Sequence, residues 1–332
     1  MQAWKVQIGK PDPIRTQVPV PKVDSDGVLV KVLAMGVCHS DCTILSFEQP
    51  IMNMQPEFIL GHEGAGEIVQ LGSSVDKSRL AVGDKVALYI LPGCGSPSCP
   101  ECSRGLCHLC RAKGIGNYGL TTDGFFAEYV AVMSRAVVKL PLGMDVIQAA
   151  VSADAILTAF HAVKYTAGVD PSQTIAIFGL GGVGMNGLQT ALHLGAKRIL
   201  VVDKRRHVLD EAIKLGIPSG DTFCTSGTDS PTIEQTVAEK GIAIDTAIDF
   251  VGHEQTITSA QLSLRPGGVL CQVGLFSQQA PYMVMPIVLN ALTIKGCYNG
   301  SLEALSECLQ LMKEGVLKPN ITTRSLKICL RF

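Results

Sequence analysis

The sequence predicts an α/β protein in two parts, a β-rich domain followed by a doubly wound parallel sheet. Three observations carry that expectation. Through about residue 150, short apolar runs of strand length alternate with glycines and prolines. From about Asp145 the pattern changes to helical spacing and then to a regular β-α-β alternation. A glycine hexapeptide, GLGGVG, closes one of those later strands and opens a helix. The 332 residues are too many for one small core, so two domains are the natural division.

Taken in order, GVLVKVLAMGVC (Gly27–Cys38), EGAGEIVQLG (Glu63–Gly72), VGDKVALYILPGCG (Val82–Gly95) and FFAEYVAV (Phe125–Val132) read as strands. VIQAAVSADAILTAFHAVKYTAG has helical spacing. TIAIFG (Thr174–Gly179) is a buried strand, VGMNGLQTALHLGA a helix and RILVVD (Arg198–Asp203) the next strand. HVLDEAIKLG is again helical, and DTAIDFVG (Asp245–Gly252) and GGVLCQVG (Gly267–Gly274) are further strands. The expected boundaries are residues 1–156 for the first domain, with 298–332 returning to it in shortened form, and 157–297 for the second.

Composition narrows the function classes. Lys and Arg number 28 against 29 Asp and Glu, a formal charge of −1, and no basic run or acidic tail suggests a nucleic-acid partner. The opening MQAWKVQIGKPDP lacks the apolar core of a signal peptide, and no apolar stretch is long enough to span a bilayer. A cytoplasmic protein with no membrane partner is therefore expected. In such a chain the 12 cysteines read as metal ligands or buried thiols before disulfides.

GLGGVG comprises Gly179, Leu180, Gly181, Gly182, Val183 and Gly184, and it fits G-x-G-x-x-G in the required strand-to-helix context. Gly179 allows the sharp turn, Gly181 lets backbone approach a pyrophosphate, and Gly184 lets helix and strand pack closely. The helix N-terminus then offers unpaired N–H groups and a positive dipole end. Asp203 ends the next strand, 19 residues beyond Gly184. Its carboxylate can accept from both adenosine ribose hydroxyls and would repel a 2′-phosphate, which favours NAD over NADP. Lys204, Arg205 and Arg206 follow directly and partly offset that charge.

Five cysteines fall between Cys94 and Cys110. Four thiolates close a tetrahedral zinc site with no open position, which makes a site structural. Cys99 and Cys102 form the C-x-x-C knuckle, Cys94 precedes it and Cys110 closes the lobe, with Cys107 competing for the last place. A second cluster pairs Cys38, in GVCHSD, with His62, in GHEGAGEIVQLG. A thiolate with an imidazole suits a zinc that keeps one position for substrate. Asp41 and Glu63 are close enough in sequence to orient those ligands.

GVCHSD, GHEGAGEIVQLG, VGDKV, the cysteine lobe, GFFAEY, GLGGVG and the strand-end Asp203 occur in the order found in the zinc-containing medium-chain alcohol dehydrogenase family, which the chain resembles from about Val28 to Arg324. The resemblance implies a GroES-like catalytic domain, a Rossmann coenzyme domain and an active site in the cleft between them. It implies two zinc ions per chain, with Cys38 and His62 as catalytic ligands and either Asp154 or Glu63 as the third. It implies that Ser40 bonds the substrate oxygen and starts the proton relay, and that His39 reaches the coenzyme pyrophosphate. Thr158 would pack on the nicotinamide ring, with Val251, Val273 and Leu275 flanking or hydrogen-bonding it. A homodimer or homotetramer is implied by the family alone.

The expected reaction is reversible hydride transfer between a primary or secondary alcohol and NAD, giving an aldehyde or ketone. An NADPH-linked carbonyl reductase and a catalytically silent shortened form are the alternatives. The family pattern is departed from in three places. The Cys94–Cys99 interval is two residues longer than usual, Thr43 replaces a relay histidine, and the chain ends at ITTRSLKICLRF where relatives continue through a helix and a last strand. The loop Ile44–Phe58, with Met52 and Met54, and the region of Tyr298 are expected to shape the substrate pocket, without naming the alcohol.

Overall fold

The computed structural model describes residues 1–51, 53–226, 232–277 and 279–324. The chain divides into two compact units, the first built mainly from Met1–Ala155 and Ser301–Lys313, the second from Ile156–Gly300 and Glu314–Asn320.

In the first unit, β1 (Gln2–Gln7), β2 (Ile14–Gln17) and β4 (Glu57–Ile59) form a small antiparallel sheet in the order β2-β1-β4. A five-stranded antiparallel sheet follows the order β7-β3-β5-β6-β8, made of β3 (Gly27–Gly36), β5 (Glu63–Leu71), β6 (Lys85–Leu88), β7 (Tyr129–Met133) and β8 (Val137–Lys139). Trp4, Val6, Phe58, Leu60 and Phe126 are buried together beneath α1 (His39–Leu45), which contributes Ile44. The register of β3 against β5 matters most for the site. It pairs Gly36 with Glu63, so the loop after β3 and the residue before β5 emerge side by side.

Two strand expectations were too generous, and three strands were not foreseen. Of Val82–Gly95 only Lys85–Leu88 is strand, and the residues after Leu88 run out toward the cysteine lobe. Phe125 and Phe126 precede β7 as fully buried loop residues rather than strand. The strands β1, β2 and β4 had no strong period to reveal them.

The second unit is a six-stranded parallel sheet ordered β11-β10-β9-β12-β13-β14. Its strands are β9 (Thr174–Phe178), β10 (Arg198–Asp203), β11 (Thr222–Cys224), β12 (Ile244–Asp249), β13 (Leu264–Gln272) and β14 (Thr293–Gly296). The order reverses on either side of β9, the doubly wound pattern. Central strands are apolar on both faces because helices cover both. Ile175, Ile177, Ile199 and Val201 pack into one cluster, while Ala176, Phe178, Leu200 and Val202 pack into the other. The helical run before the sheet comprises α2 (Val146–Ala150), a π-helical stretch Ser152–Ile156, α3 (Leu157–Phe160) and a second π-helical stretch His161–Ala167. The others are α4 (Gly182–His193), α5 (Arg206–Lys214), α6 (Ile233–Lys240), α7 (Glu254–Ser263) and α8 (Val284–Leu289).

After β14 the chain through Gly300 stays with the second unit, Ser301–Lys313 group with the first, and Glu314–Asn320 with the second again. A reciprocal pair of hydrogen bonds ties that last segment to α4: Lys318 N donates to Gln189 Oε1 at 2.8 Å and Gln189 Nε2 donates to Lys318 O at 3.2 Å. Among the described residues, no helix is long and apolar enough to cross a membrane. Met52, Cys329 and the ending from Ser325 lie outside the described residues.

Candidate functional site

The loop after β3 turns directly into α1, whose N-cap is Cys38. Asp41 closes that turn, accepting from Cys38 N at 3.0 Å through Oδ2. Its other oxygen, Oδ1, lies 3.1 Å from His62 Nδ1, and both Asp41 and His62 are buried. One carboxylate therefore fixes the Cys38 backbone and the ring of His62 together. An imidazole that gives its Nδ1 hydrogen to a carboxylate turns a lone pair outward at Nε2.

The π-helical stretch supplies the third donor. π-helical stretches occur often at functional sites, and this one, Ser152–Ile156, carries Asp154. Asp154 Oδ2 lies 3.3 Å from Cys38 Sγ and 3.3 Å from His62 Nε2, and all three donor atoms fall within 4.8 Å of one another. His62 Nε2 is buried without a hydrogen bond of good geometry. Donors bound tetrahedrally to one zinc stand about 3.4–3.6 Å apart for these atom types, so the set fits the ion. It offers three donors, one fewer than a tetrahedral zinc takes.

Electrostatics favour a cation at this point. Burial alone would push His62 down, but the Asp154 and Asp41 carboxylates outweigh it and hold the imidazole well above its ordinary value. Burial raises the Cys38 thiol. Burial, reinforced by the nearby Asp154 charge, pushes Glu63 up to about 8. Glu63, the alternative third ligand, is not part of the three-donor set. Its carboxylate packs over Gly36, where an added Cβ would lie 1.8 Å from Oε2, and it accepts a hydrogen bond from the Ala155 backbone.

Ser40 and His39 occupy the exposed first turn of α1. Ser40 Oγ is 3.6 Å from Cys38 Sγ, which places a hydroxyl beside the donor set. Thr43 Oγ1 donates to His39 O at 3.2 Å.

The cysteine lobe resolves the competition for its last ligand. Cys94, Cys99, Cys102 and Cys110 gather with their sulfurs within 4.8 Å, and Cys107 stays outside. The Cys94–Cys102 and Cys99–Cys110 separations are 3.7 and 3.8 Å, and these cysteines are not disulfide-bonded. Zinc–sulfur bonds of 2.3 Å in a tetrahedron require sulfur–sulfur edges of about 3.8 Å. The donor set is complete and closed. Burial would raise Cys110, but hydrogen bonds from Ala112 N and Cys94 N win and hold it at about 7, while burial lifts Cys102 to about 11.

In the second unit, Gly181 is the N-cap of α4 and has no side chain to satisfy the helix's first N–H groups. Cβ atoms added at Gly181 or Gly182 would meet nothing within 4 Å, so that helix end faces open space. At Gly184 the opposite holds, since a Cβ would lie 1.8 Å from Gly179 O, and only glycine permits that approach. Asp203 is buried at the strand end and accepts from Leu180 N at 2.7 Å, which ties it to the glycine turn. This cradle, with its strand-end acid, fits a dinucleotide. Val251 packs against Gly179, and Val273 N donates to Asp249 O at 2.9 Å. Thr158 Oγ1 accepts from Asn299 Nδ2 at 3.4 Å, while Leu275 is largely exposed.

One contributor escaped the sequence reading. Asp249, fully buried at the end of β12, accepts from Val251 N at 2.8 Å, Gly252 N at 3.1 Å and Thr256 Oγ1 at 3.0 Å. It shapes the turn that carries Val251. An acid ending an apolar parallel strand, as Asp203 does, was the signal available.

Comparison with known proteins shows the family. Residues 24–142 match the alcohol dehydrogenase GroES-like domain, and residues 182–314 match the zinc-binding dehydrogenase domain. An alcohol dehydrogenase of Geobacillus stearothermophilus is 32% identical over 322 residues, covering 97% of this chain and 91% of its own. The chain belongs to the zinc-containing medium-chain dehydrogenase/reductase family. Another relative in this family, the sorbitol dehydrogenase of Bacillus subtilis, is 34% identical over 288 residues, covering 85% of this chain and 77% of its own. Among solved structures of the family, acetophenone reductase from Geotrichum candidum in complex with NAD superposes with a TM-score of 0.85. It has 30% identity and covers 98% of this chain and 91% of its own.

Proposed function

We propose that this chain is a zinc-dependent, NAD-linked alcohol dehydrogenase, converting a primary or secondary alcohol reversibly to an aldehyde or ketone. The observation that carries the reading is the Cys38–His62–Asp154 set, three unlike donors held at zinc-ligand separations with one position open. These residues would hold the catalytic zinc, and Cys94, Cys99, Cys102 and Cys110 a second, structural one. When bound, zinc supplies Lewis acidity toward an alcohol oxygen, and the dinucleotide accepts hydride from the alcohol carbon.

The protein's own residues do the rest. Asp41 keeps His62 oriented and the Cys38 turn closed. Ser40, exposed beside Cys38, receives the alcohol proton and releases it to solvent. Thr43 already gives its hydroxyl hydrogen to His39 O, so the proton leaves through water or a ribose hydroxyl. Gly181, Gly182 and Val183 receive the pyrophosphate at the start of α4, with His39 reaching it as well, and Asp203 the ribose. Thr158, Val251, Val273 and Leu275 are assigned to the nicotinamide. NADH formation across primary, secondary and polyol substrates, with and without chelator, tests this reading. Chelator-sensitive turnover is expected, and turnover indifferent to metal removal would refute the zinc role.

We further propose a homodimer, alone or as half of a homotetramer, formed through the β14 edge. Among the described residues β14 ends the sheet, and Val284, Met285, Val288 and Leu289 of neighbouring α8 are 68–74% exposed. An edge with unpaired backbone beside an apolar face is best covered by the same surface of a second copy.

A further inference from the structure

We propose that Arg205 sets coenzyme choice by occupying the ribose-binding face of Asp203, so that it opposes NAD binding and supports NADP binding. The proposal rests on dinucleotide binding as assigned above. Asp203 Oδ1 accepts from Arg205 N at 2.8 Å and Arg205 Nε at 3.0 Å, and Oδ2 accepts from Leu180 N at 2.7 Å and an Arg205 terminal guanidinium nitrogen at 3.0 Å. Two carboxylate oxygens offer about four acceptor positions, and all are taken.

The ribose of NAD brings two hydroxyl donors. Two of the occupying donors, the N–H groups of Leu180 and Arg205, belong to backbone built into the turn and the start of α5. The guanidinium is the one that can leave. Its side chain is 42% exposed and pivots on an exposed stem, whereas Asp203 is 4% exposed and fixed. NAD must therefore displace a bidentate ion pair before Asp203 can accept from the ribose.

NADP meets the same pair differently. Its 2′-phosphate is repelled by a bare Asp203, but the guanidinium fork stands at that point already, with geometry suited to phosphate oxygens. The neighbouring Arg206, in a single exposed pair with Asp210 at 3.0 Å, and the exposed Lys204 add positive charge beside the fork. A 2′-phosphate can take over the fork and leave Asp203 with its two backbone hydrogen bonds.

Equilibrium binding separates these roles without turnover. Dissociation constants for NADH, NADPH, 5′-AMP and adenosine 2′,5′-bisphosphate are measured by calorimetry on the full chain, on Arg205→Ala and on Arg205→Gln. Unliganded melting temperatures verify that both variants fold. The wild-type chain is expected to bind both coenzymes. Both variants should tighten NADH and 5′-AMP by about 3-fold and weaken NADPH and the bisphosphate by about 10-fold, the size expected for a charge-assisted pair at a half-exposed site. Movement of both coenzymes in the same direction, or no movement, overturns the proposal while dinucleotide binding stands. Failure of the wild-type chain to bind any of the four ligands overturns the dinucleotide assignment as well.

Discussion

Asp41 provides the sharpest test of how the metal-type site is built. Its carboxylate accepts from His62 Nδ1 and from Cys38 N, with Asp41 itself fully buried. Asp41→Ala leaves a buried imidazole N–H without an acceptor, which costs about 1–3 kcal/mol. At about 1.4 kcal/mol per tenfold, zinc retention should weaken by about 10–100-fold, the range found when ligand-orienting partners are removed. Asp41→Asn preserves size and shape, yet should be nearly as harmful. If its amide oxygen accepts from Cys38 N, its NH2 faces His62 Nδ1, and the ring must then carry its hydrogen on Nε2. If the amide is turned the other way, its NH2 opposes the Cys38 N–H. The assay is alkylation of Cys38, followed by peptide mass spectrometry over a chelator series, with the lobe cysteines as internal control. Both variants should expose Cys38 at about 10–100-fold lower free chelator while the lobe is unmoved. An Asp41→Asn curve that overlays wild type would refute the tautomer argument.

Further expectations concern the lobe, the glycine turn and acid stability. Cys99→Ser opens a closed four-thiolate set and should lower the melting temperature by several degrees, corresponding to about 2–4 kcal/mol of lost metal-linked stability; scanning calorimetry reads it, and an unchanged midpoint refutes a structural role. Gly184→Ala places a Cβ 1.8 Å from Gly179 O, so about 1–3 kcal/mol of stability and most NADH affinity should be lost together, as measured by urea unfolding and fluorescence titration. Asp203 would be raised by burial, but hydrogen bonds from Arg205 and Leu180 prevail and hold it below its ordinary value. A depressed carboxyl stabilises the fold above its unfolded value of about 3.9, and that contribution disappears as pH falls further. The stability gap between wild type and Asp203→Asn should therefore be full at pH 6 and shrink below about pH 4; a constant gap in acid refutes the assignment. Leu289→Glu should shift the dimer toward monomer in sedimentation velocity, and an unchanged mass would rule out the α8 face.

What could be read from the sequence differed by the kind of signal. The second unit was legible because strands buried on both faces, such as TIAIF and RILVV, must be continuously apolar, and the helices between them have their own period. The small sheet of β1, β2 and β4 was not, since β2 is exposed almost throughout and carries no alternation. The cysteine lobe was legible as a group because its donors are adjacent in sequence. The sequence reading placed Cys110 last with Cys107 competing, and in the fold Cys107 opens a short 3-10 turn outside the four-sulfur set.

The choice between Asp154 and Glu63 shows why adjacency in sequence misleads. Glu63 follows His62 directly, but His62 lies in the loop before β5 and Glu63 is the strand's first residue. His62 faces Cys38, and Glu63 starts β5 packed over its register partner Gly36. Asp154 is 116 residues from Cys38 and meets it at 3.3 Å from a helical run that is π-helical over Ser152–Ile156. That distortion leaves no pattern in the residue spacing. It lets a long-range partner complete the donor set while the sequence neighbour becomes a buried carboxyl held up at about 8. Substituting Glu63 by Gln should therefore leave the three donors in place, whereas Asp154→Asn removes one of them.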